Sequence, residues 1–339
     1  MATLKDVAKL AGVSVATVSL ALTGKAVKEK TREKVIDCAK KLNYVPNIIG
    51  RTLITGKSHT IELVIMSTAK HIKLVTNTAL YHYIVSGALS ITERHGYSLK
   101  FDTKTYEDEE LYQYFRQKIM DKSIDGIIVI PQYLKNYNFI SLFKNNDFPY
   151  IMLCPSFVND GNINFVDMDN YYGGCLVAEC FLKQGFIKIA FINGPENHLD
   201  AIERERGFID TLSKHNIHIQ DGAKKYGDFT IASGYEHMKE ILKIYQPEAL
   251  FCGNDYMAAG AMRYLYETGL RVPEDISVIG YDNQDLTEAL IPPLTSVDNK
   301  FELLGKHLAI EILNLIDDPS ITAGKHIKPE LIQRDSVLS

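Results

Sequence analysis

Residues 50–58, Gly-Arg-Thr-Leu-Ile-Thr-Gly-Lys-Ser, carry the residue types of a loop that cradles phosphate. That chemistry needs four residues between the glycines, so that successive backbone N–H groups curl around the anion. It also needs a strand before the loop and a helix after it. Here five residues, Arg51 to Thr55, separate Gly50 from Gly56. Upstream, Pro46 interrupts any strand. Downstream, the apolar and β-branched run His59–Met66 reads as a strand. The stretch does not fit a nucleotide-hydrolysing loop and needs another role.

A second group of polar residues stands at the ends of short apolar runs. The run from Ala249 ends in Asn254 and Asp255, and the run from Ser277 ends in Asp282 and Asn283. Phe229 follows Tyr226-Gly227-Asp228, and the stretch beginning at Phe191 delivers Arg204. In open parallel sheets, ligands sit beyond the C-terminal ends of the strands. Carboxylate, guanidinium, amide and aromatic groups there suit binding. No nucleophile–base–orienter pattern and no paired catalytic carboxylates stand out, so an enzyme is not expected. Asp255 also has the position of a cap on the next helix. The five cysteines are scattered without a C-x-x-C, which reads as reduced structural thiols. No cofactor or metal site is expected.

The elements that must position these groups alternate. From residue 59 the chain repeats a short apolar run, a turn and an amphipathic stretch. Strand–helix alternation argues parallel sheets with helices on both faces, here in two halves around a cleft. The segment from Pro292 to Ile316 reads as a return crossing. The 339 residues are 46% hydrophobic and 23% charged, an ordinary globular composition. No run approaches a membrane span and the first residues have no apolar leader, so the expected location is cytoplasmic. Charge is uneven: residues 1–60 hold 11 Lys and Arg against four Asp and Glu, a net of +7, whereas the whole chain is −5. A basic module on an acidic body is the asymmetry of a nucleic-acid binder.

The basic module has a sharper signal. Thr3 and Asp6 have the spacing of a capping box on a first helix, with Val7, Ala8 and Leu10 as its buried side. Gly12 supplies the turn, and Ser14 caps a second helix bearing Val18 and Leu22 on one face. A third helix offers Val35, Ile36, Ala39 and Leu42 as the other wall. Ala8, Gly12 and Val18 have helix-turn-helix spacing. The second helix then presents Val15, Ala16, Thr17, Ser19 and Leu20 outward, as a face able to enter the major groove.

With these residues the chain resembles the LacI/GalR family of bacterial transcription regulators, densely over residues 3–58 and more sparsely to the C-terminus. The resemblance implies a small all-α helix-turn-helix headpiece and an α/β core of two parallel-sheet subdomains like a periplasmic binding protein. The expected division is a headpiece over 1–46, a hinge helix over 47–58, one effector subdomain over 59–161 and 293–322, and another over 162–292 and 323–339. It implies DNA contacts from Thr3, Leu4, Ser14, Val15, Ala16, Thr17, Ser19, Leu20, Lys28, Thr31, Tyr44, Asn47, Arg51 and Leu53. The opening stretch becomes the hinge, with Leu53 as an apolar wedge between base pairs and Arg51 in the minor groove. Three positions depart from the family pattern. Gly50 replaces the usual Ala, which weakens a hinge helix by about 1 kcal/mol. Leu20 replaces an Arg suited to guanine, removing roughly 1–3 kcal/mol of discrimination. Lys28 replaces a capping Ser.

For the cleft, the resemblance singles out Arg204, Asp282 and the aromatic Phe229, with Asn254 beside them; a sugar suits that set. The segment after the first strand departs from the family, leaving Ser67, His71 and Tyr81 as candidates to line the cleft, with His71 set aside because a lone His is more often a surface residue. The resulting expectation is a repressor of pseudopalindromic operator DNA, controlled by a small effector, a sugar or sugar derivative. With no heptad tail after Leu331–Ser339, a homodimer is expected. The alternatives are control by a protein corepressor and a sugar receptor without DNA function.

Overall fold

The computed structural model describes residues 2–22, 27–44, 57–71, 79–135, 137–153 and 163–338. They form two compact units, residues 1–60 with 118–125, and the remainder. The first unit opens with helices α1 (Leu4–Ala11), α2 (Val15–Leu22) and α3 (Glu29–Lys41). The rest of the chain runs β1 (Thr60–Ser67), α4 (Ala79–Arg94), β2 (Ser98–Thr105), α5 (Leu111–Met120), β3 (Gly126–Pro131), α6 (Ile140–Asn145), β4 (Tyr150–Leu153) and β5 (Phe165–Met168). It continues α7 (Asn170–Lys183), β6 (Ile189–Asn193), α8 (Leu199–Lys214), β7 (Lys224–Tyr226), α9 (Ile231–Leu242), β8 (Ala249–Cys252), α10 (Asp255–Glu267) and β9 (Ser277–Asp282). Last come α11 (Leu286–Ala289), β10 (Thr295–Asp298), α12 (Phe301–Asp317), β11 (Gly324–Ile327) and β12 (Glu330–Ile332).

The core is built on two six-stranded sheets, ordered β11-β5-β4-β3-β1-β2 and β12-β10-β9-β8-β6-β7. The pairs β1–β3, β3–β4 and β4–β5 are parallel, as are β6–β8, β8–β9 and β9–β10; β12 is antiparallel to β10. Strands β1 and β3 are buried along nearly their whole length, which is why they read as continuous apolar runs. Each sheet changes winding direction between its first and third strands, β1 and β3 or β6 and β8. A crevice opens at the carboxyl ends of strands at such a switch point.

Sheet membership moves the subdomain boundaries. Residues 165–168, expected in the second lobe, form β5 of the first sheet, and 324–327 pair with them as β11. Residues 295–298, expected in the first lobe, form β10 of the second sheet. The chain therefore crosses between lobes after Met168, after Asp298 and after Ile327. The sequence break after each of these strands is only one or two residues long, too short to read as a linker. The return crossing ends in α12, whose Leu304, Leu308 and Ile312 complete the core of the first lobe.

Candidate functional site

The headpiece helices follow their local signals. Thr3 and Asp6 make the reciprocal capping box, the Thr3 amide donating to Asp6 Oδ2 at 2.8 Å and the Asp6 amide to Thr3 Oγ1 at 3.4 Å. Gly12 ends α1 in the left-handed region at φ 64°. The Thr17 amide donates to Ser14 Oγ at 3.0 Å, capping α2. Val7, Ala8, Ala11, Val18, Ala21, Val35, Cys38 and Ala39 form the core, with Leu4, Leu22, Leu42 and Tyr44 packed at its rim. Leu10 was expected in that core and is instead 49% exposed. It lies three residues after Val7, but on a two-turn helix Val7, Ala8 and Ala11 already fill the contact face. Val15 and Leu20 are 41% and 38% exposed on α2, and Ser14 and Ala16 are exposed beside them. Lys28 is the N-cap of α3 and makes no capping bond through its side chain. Asn47, Arg51 and Leu53, with the hinge expected over 47–58, fall outside the described residues except for 57 and 58.

Between the core sheets lies a cavity lined from the carboxyl ends of strands in both lobes. Arg204, on α8, is 4% exposed at its base. Its Nε donates to Asn170 Oδ1 at 3.0 Å, Nη1 donates to the Gly253 carbonyl, and Nη2 stands 3.5 Å from Asp282 Oδ1. The guanidinium lies over the Tyr281 ring, 3.9 Å from its centre, and the Tyr281 hydroxyl donates to Asn170 Oδ1 at 3.2 Å. Gly173 leaves room for that hydroxyl, because a Cβ there would sit 2.0 Å from it. Burial opposes the Arg204 charge, and Asp282, Tyr281 and Asp200 together more than restore it. Asp282 also accepts from Asn299 Nδ2 at 2.9 Å. Burial pushes its carboxyl up to about 7, with Arg204 pulling the other way. Asp282 has φ 103°, a strained conformation for a residue with a Cβ that recurs at ligand sites.

Phe229, at φ 66°, packs its ring where a Cβ on Gly194 would be, 2.1 Å away. It meets His198 edge-on at 4.9 Å, and His198 meets Tyr133 edge-on at 5.2 Å. Burial, then Arg204, holds His198 down to about 3, so its imidazole is neutral. Main-chain bonds tie the lobes together at this edge: Leu134 N–H to the Asn197 carbonyl at 3.0 Å, and Leu199 N–H to the Gln132 carbonyl at 2.9 Å.

Of the residues expected in the cleft, Tyr81, Arg204, Phe229, Asn254 and Asp282 line this cavity. Ser67 does not; it is fully buried at the end of β1, its hydroxyl without a partner. His71, a candidate set aside in favour of a surface position, lines the cavity and stacks on Tyr133 at 5.4 Å. Asp255 is not the cap of α10. Asn254 is, accepting from the Met257 amide at 2.9 Å, while Asp255 is buried and accepts from Ser296 Oγ and the Gln284 amide. Both types can cap; the neighbour that the sheet aims at Ser296 leaves the cap to the other. Arg206 is half-exposed and pairs with Glu203 at 2.8 Å.

Two family descriptions match the chain: bacterial regulatory proteins of the lacI family over residues 3–47, and a periplasmic binding protein-like domain over residues 178–337. It is 32% identical over 342 residues to the ribose operon repressor of Escherichia coli (strain K12), across 99% of this chain and 100% of that one. It is 32% identical over 345 residues to the HTH-type transcriptional repressor PurR of Aliivibrio fischeri (strain MJ11), across 100% and 99%. The chain belongs to the LacI family. Its structure is similar to that of the lac repressor dimer bound to operator and the anti-inducer ONPF, with a TM-score of 0.86, 28% identity, and 100% and 99% of the two chains covered. This LacI-family protein is a DNA-binding transcriptional repressor under ligand control.

Sequence reasoning missed several residues of this LacI-family cleft: Asn170, Asp200, His198, Tyr133 and Asn299. Asn299 follows β10 directly and Asn170 stands one residue beyond β5, so the strand-end rule applied to those runs was the available signal. Nothing local marked His198 or Asp200. Among the described residues no helix is long and apolar enough to cross a membrane, no group of His, Cys, Asp and Glu could hold a metal ion, and the cysteines are free.

Proposed function

We propose that this repressor acts as a cytoplasmic homodimer on pseudopalindromic operator DNA, and that a sugar or sugar derivative in the core cleft controls it. The observation that carries this reading is the buried Arg204–Asp282 pair at the carboxyl ends of the strands, facing an aromatic wall. Guanidinium, carboxylate and amide groups hold ring hydroxyls in fixed directions, and Phe229 and Tyr133 offer apolar faces for ring C–H groups. Tyr81 and Asn254 belong to the same binding wall. Ser67 is not part of it.

On the DNA side, the exposed face of α2 enters the major groove, with Ser14, Val15, Ala16, Thr17, Ser19 and Leu20 toward the bases. Thr3, Leu4, Lys28, Thr31, Tyr44 and Asn47 fix the headpiece on the backbone, and Leu53 with Arg51 engages the minor groove. Leu20 packs on a thymine methyl in place of a guanine contact. Effector binding changes the relation of the two lobes and so couples the cleft to DNA affinity. Neither role needs bond chemistry, and the protein is not an enzyme.

The test is a DNA-binding titration on the site this protein selects from randomised duplexes, repeated with a panel of sugars, nucleobases and amino acids. A sugar that changes operator affinity supports the reading. A panel that leaves both operator affinity and melting temperature unchanged would move control to a protein corepressor.

A further inference from the structure

Ser58 and His59 stand where the expected hinge meets the core, and one carboxylate holds them both. Asp125 Oδ1 accepts from the Ser58 amide at 2.7 Å and from Ser58 Oγ at 2.9 Å, and Oδ2 accepts from the His59 amide at 2.8 Å. The Asp125 amide donates back to the Thr60 carbonyl at 2.8 Å. Successive N–H groups converge on an anion where the backbone turns through the left-handed region, and His59 supplies that turn at φ 51°. Ser58 Oγ also accepts from the Thr60 amide at 3.2 Å, which closes the turn. A non-glycine residue stays in this region only where its surroundings hold it. The sheet does not need these bonds, because β1 and β3 are already paired from Ile61 and Gly126 onward. The bonds to the carboxylate fix the residues that precede the sheet. From Asp125 the chain runs directly into β3, which is buried along its length. The far end of that strand carries Pro131, followed by Gln132 and Tyr133, all on the cavity wall.

We propose that Asp125 is the root of the hinge: it fixes the place and direction in which the segment before Ser58 leaves the core, and so positions the hinge for operator DNA. This rests on the reading of residues 47–58 as a hinge that orders on the operator. Fixing the backbone of one residue costs roughly a factor of 5–30 in an equilibrium constant. With Ser58 and His59 already held, specific binding does not bear that cost for them. A root tied to β3 also passes a displacement of the cavity wall to the hinge, whereas a slack root absorbs it. Asp125 acts through Ser58 and His59, so it is a positioning residue.

Asp125→Ala in the full-length protein tests this. Fluorescence anisotropy reads binding to the duplex that the wild type selects and to an unrelated duplex of equal length. Specific binding should weaken by about tenfold or more, with non-specific binding within about twofold of wild type. Amide exchange at Ser58 and His59 should accelerate by about tenfold or more. Ser58→Ala, which removes the hydroxyl bond and keeps both amide bonds, should fall between wild type and Asp125→Ala in both readouts. If Asp125→Ala does not fold, Asp125→Asn, of the same size and with one acceptor oxygen fewer, carries the same measurements. A merely structural role lowers the urea midpoint and leaves the ratio of specific to non-specific binding unchanged; that result, with accelerated exchange, overturns the proposal. Exchange that stays slow in the variant overturns the anchor itself. Leu53→Ala separates the two ways of failing. If it lowers the ratio and Asp125→Ala does not, only the role of Asp125 falls. If neither lowers it, the hinge reading falls as well.

Discussion

Arg204 and Tyr281 are stacked, the guanidinium 3.9 Å from the ring centre, and both side chains are buried. The stack fixes the plane of the guanidinium, and Asn170, Gly253 and Asp282 take up its edge. A ligand therefore meets a preset donor. Removing one partner of a buried ion pair leaves the other uncompensated, at about 3–5 kcal/mol. Arg204→Ala should show a loss of that order in urea unfolding. Tyr281→Phe, which keeps the ring and drops one neutral hydrogen bond, should lose about 0.5–1.5 kcal/mol. Equal losses in the two variants would contradict the ranking.

Gly194 is expected to tolerate no side chain. A Cβ would lie 2.1 Å from the Phe229 ring, so the ring must leave its place on the cavity wall. Gly194→Ala should cost about 1–3 kcal/mol of stability as overpacking. It should also weaken the effector found by calorimetry. A variant with lower stability and unchanged effector affinity would show that Phe229 does not touch the ligand.

The cleft carries two groups with opposite pH habits. Burial pushes Asp282 up to about 7 from 3.8, and burial holds His198 down to about 3 from 6.5. A raised carboxyl contributes stability that is complete below its unfolded value and lost as pH rises toward its folded value. A depressed imidazole contributes stability that is complete above its unfolded value and lost as pH falls. Between 3.8 and 6.5 the two slopes oppose each other. His198→Phe should thus gain stability relative to wild type as pH drops from about 7 to about 5, and Asp282→Asn should lose it. Urea unfolding at the two pH values reads both differences; a His198→Phe difference independent of pH would remove the imidazole from the account.

At the headpiece, Lys28 occupies an N-cap without filling it. Lys28→Ser should add a cap worth about 0.5–2 kcal/mol, and Ser14→Ala should remove one of similar size from α2. Amide hydrogen exchange at the first turns of α3 and α2 measures the two effects separately. If Lys28 also reaches a phosphate, Lys28→Ser should weaken operator binding and flatten its salt dependence by roughly one unit of slope.

Operator binding itself should fall by orders of magnitude between about 50 and 200 mM salt, because the basic headpiece releases condensed counterions. A flat salt response, measured by fluorescence anisotropy on labelled duplex, would be incompatible with a headpiece whose first 60 residues carry a net of +7.

The features that the sequence determined by itself are those whose partners lie within a few residues. Thr3 finds Asp6 and Ser14 finds Thr17 inside one helical turn, so the caps and the helix-turn-helix were legible in spacing alone. Strand–helix alternation likewise announced parallel sheets, and the family resemblance placed Arg204 and Asp282 in the cleft. What the tertiary structure decided were contacts between residues far apart in the chain. Asp255 bonds Ser296, Arg204 bonds Asn170, and Asp282 holds Asn299, across 41, 34 and 17 residues. No local pattern encodes them, because they depend on which strand ends the two sheets bring to the same crevice. The lobe boundaries were hidden for the same reason. A strand such as β5 or β10 joins the sheet whose open edge can pair it, and that edge is supplied by strands elsewhere in the chain.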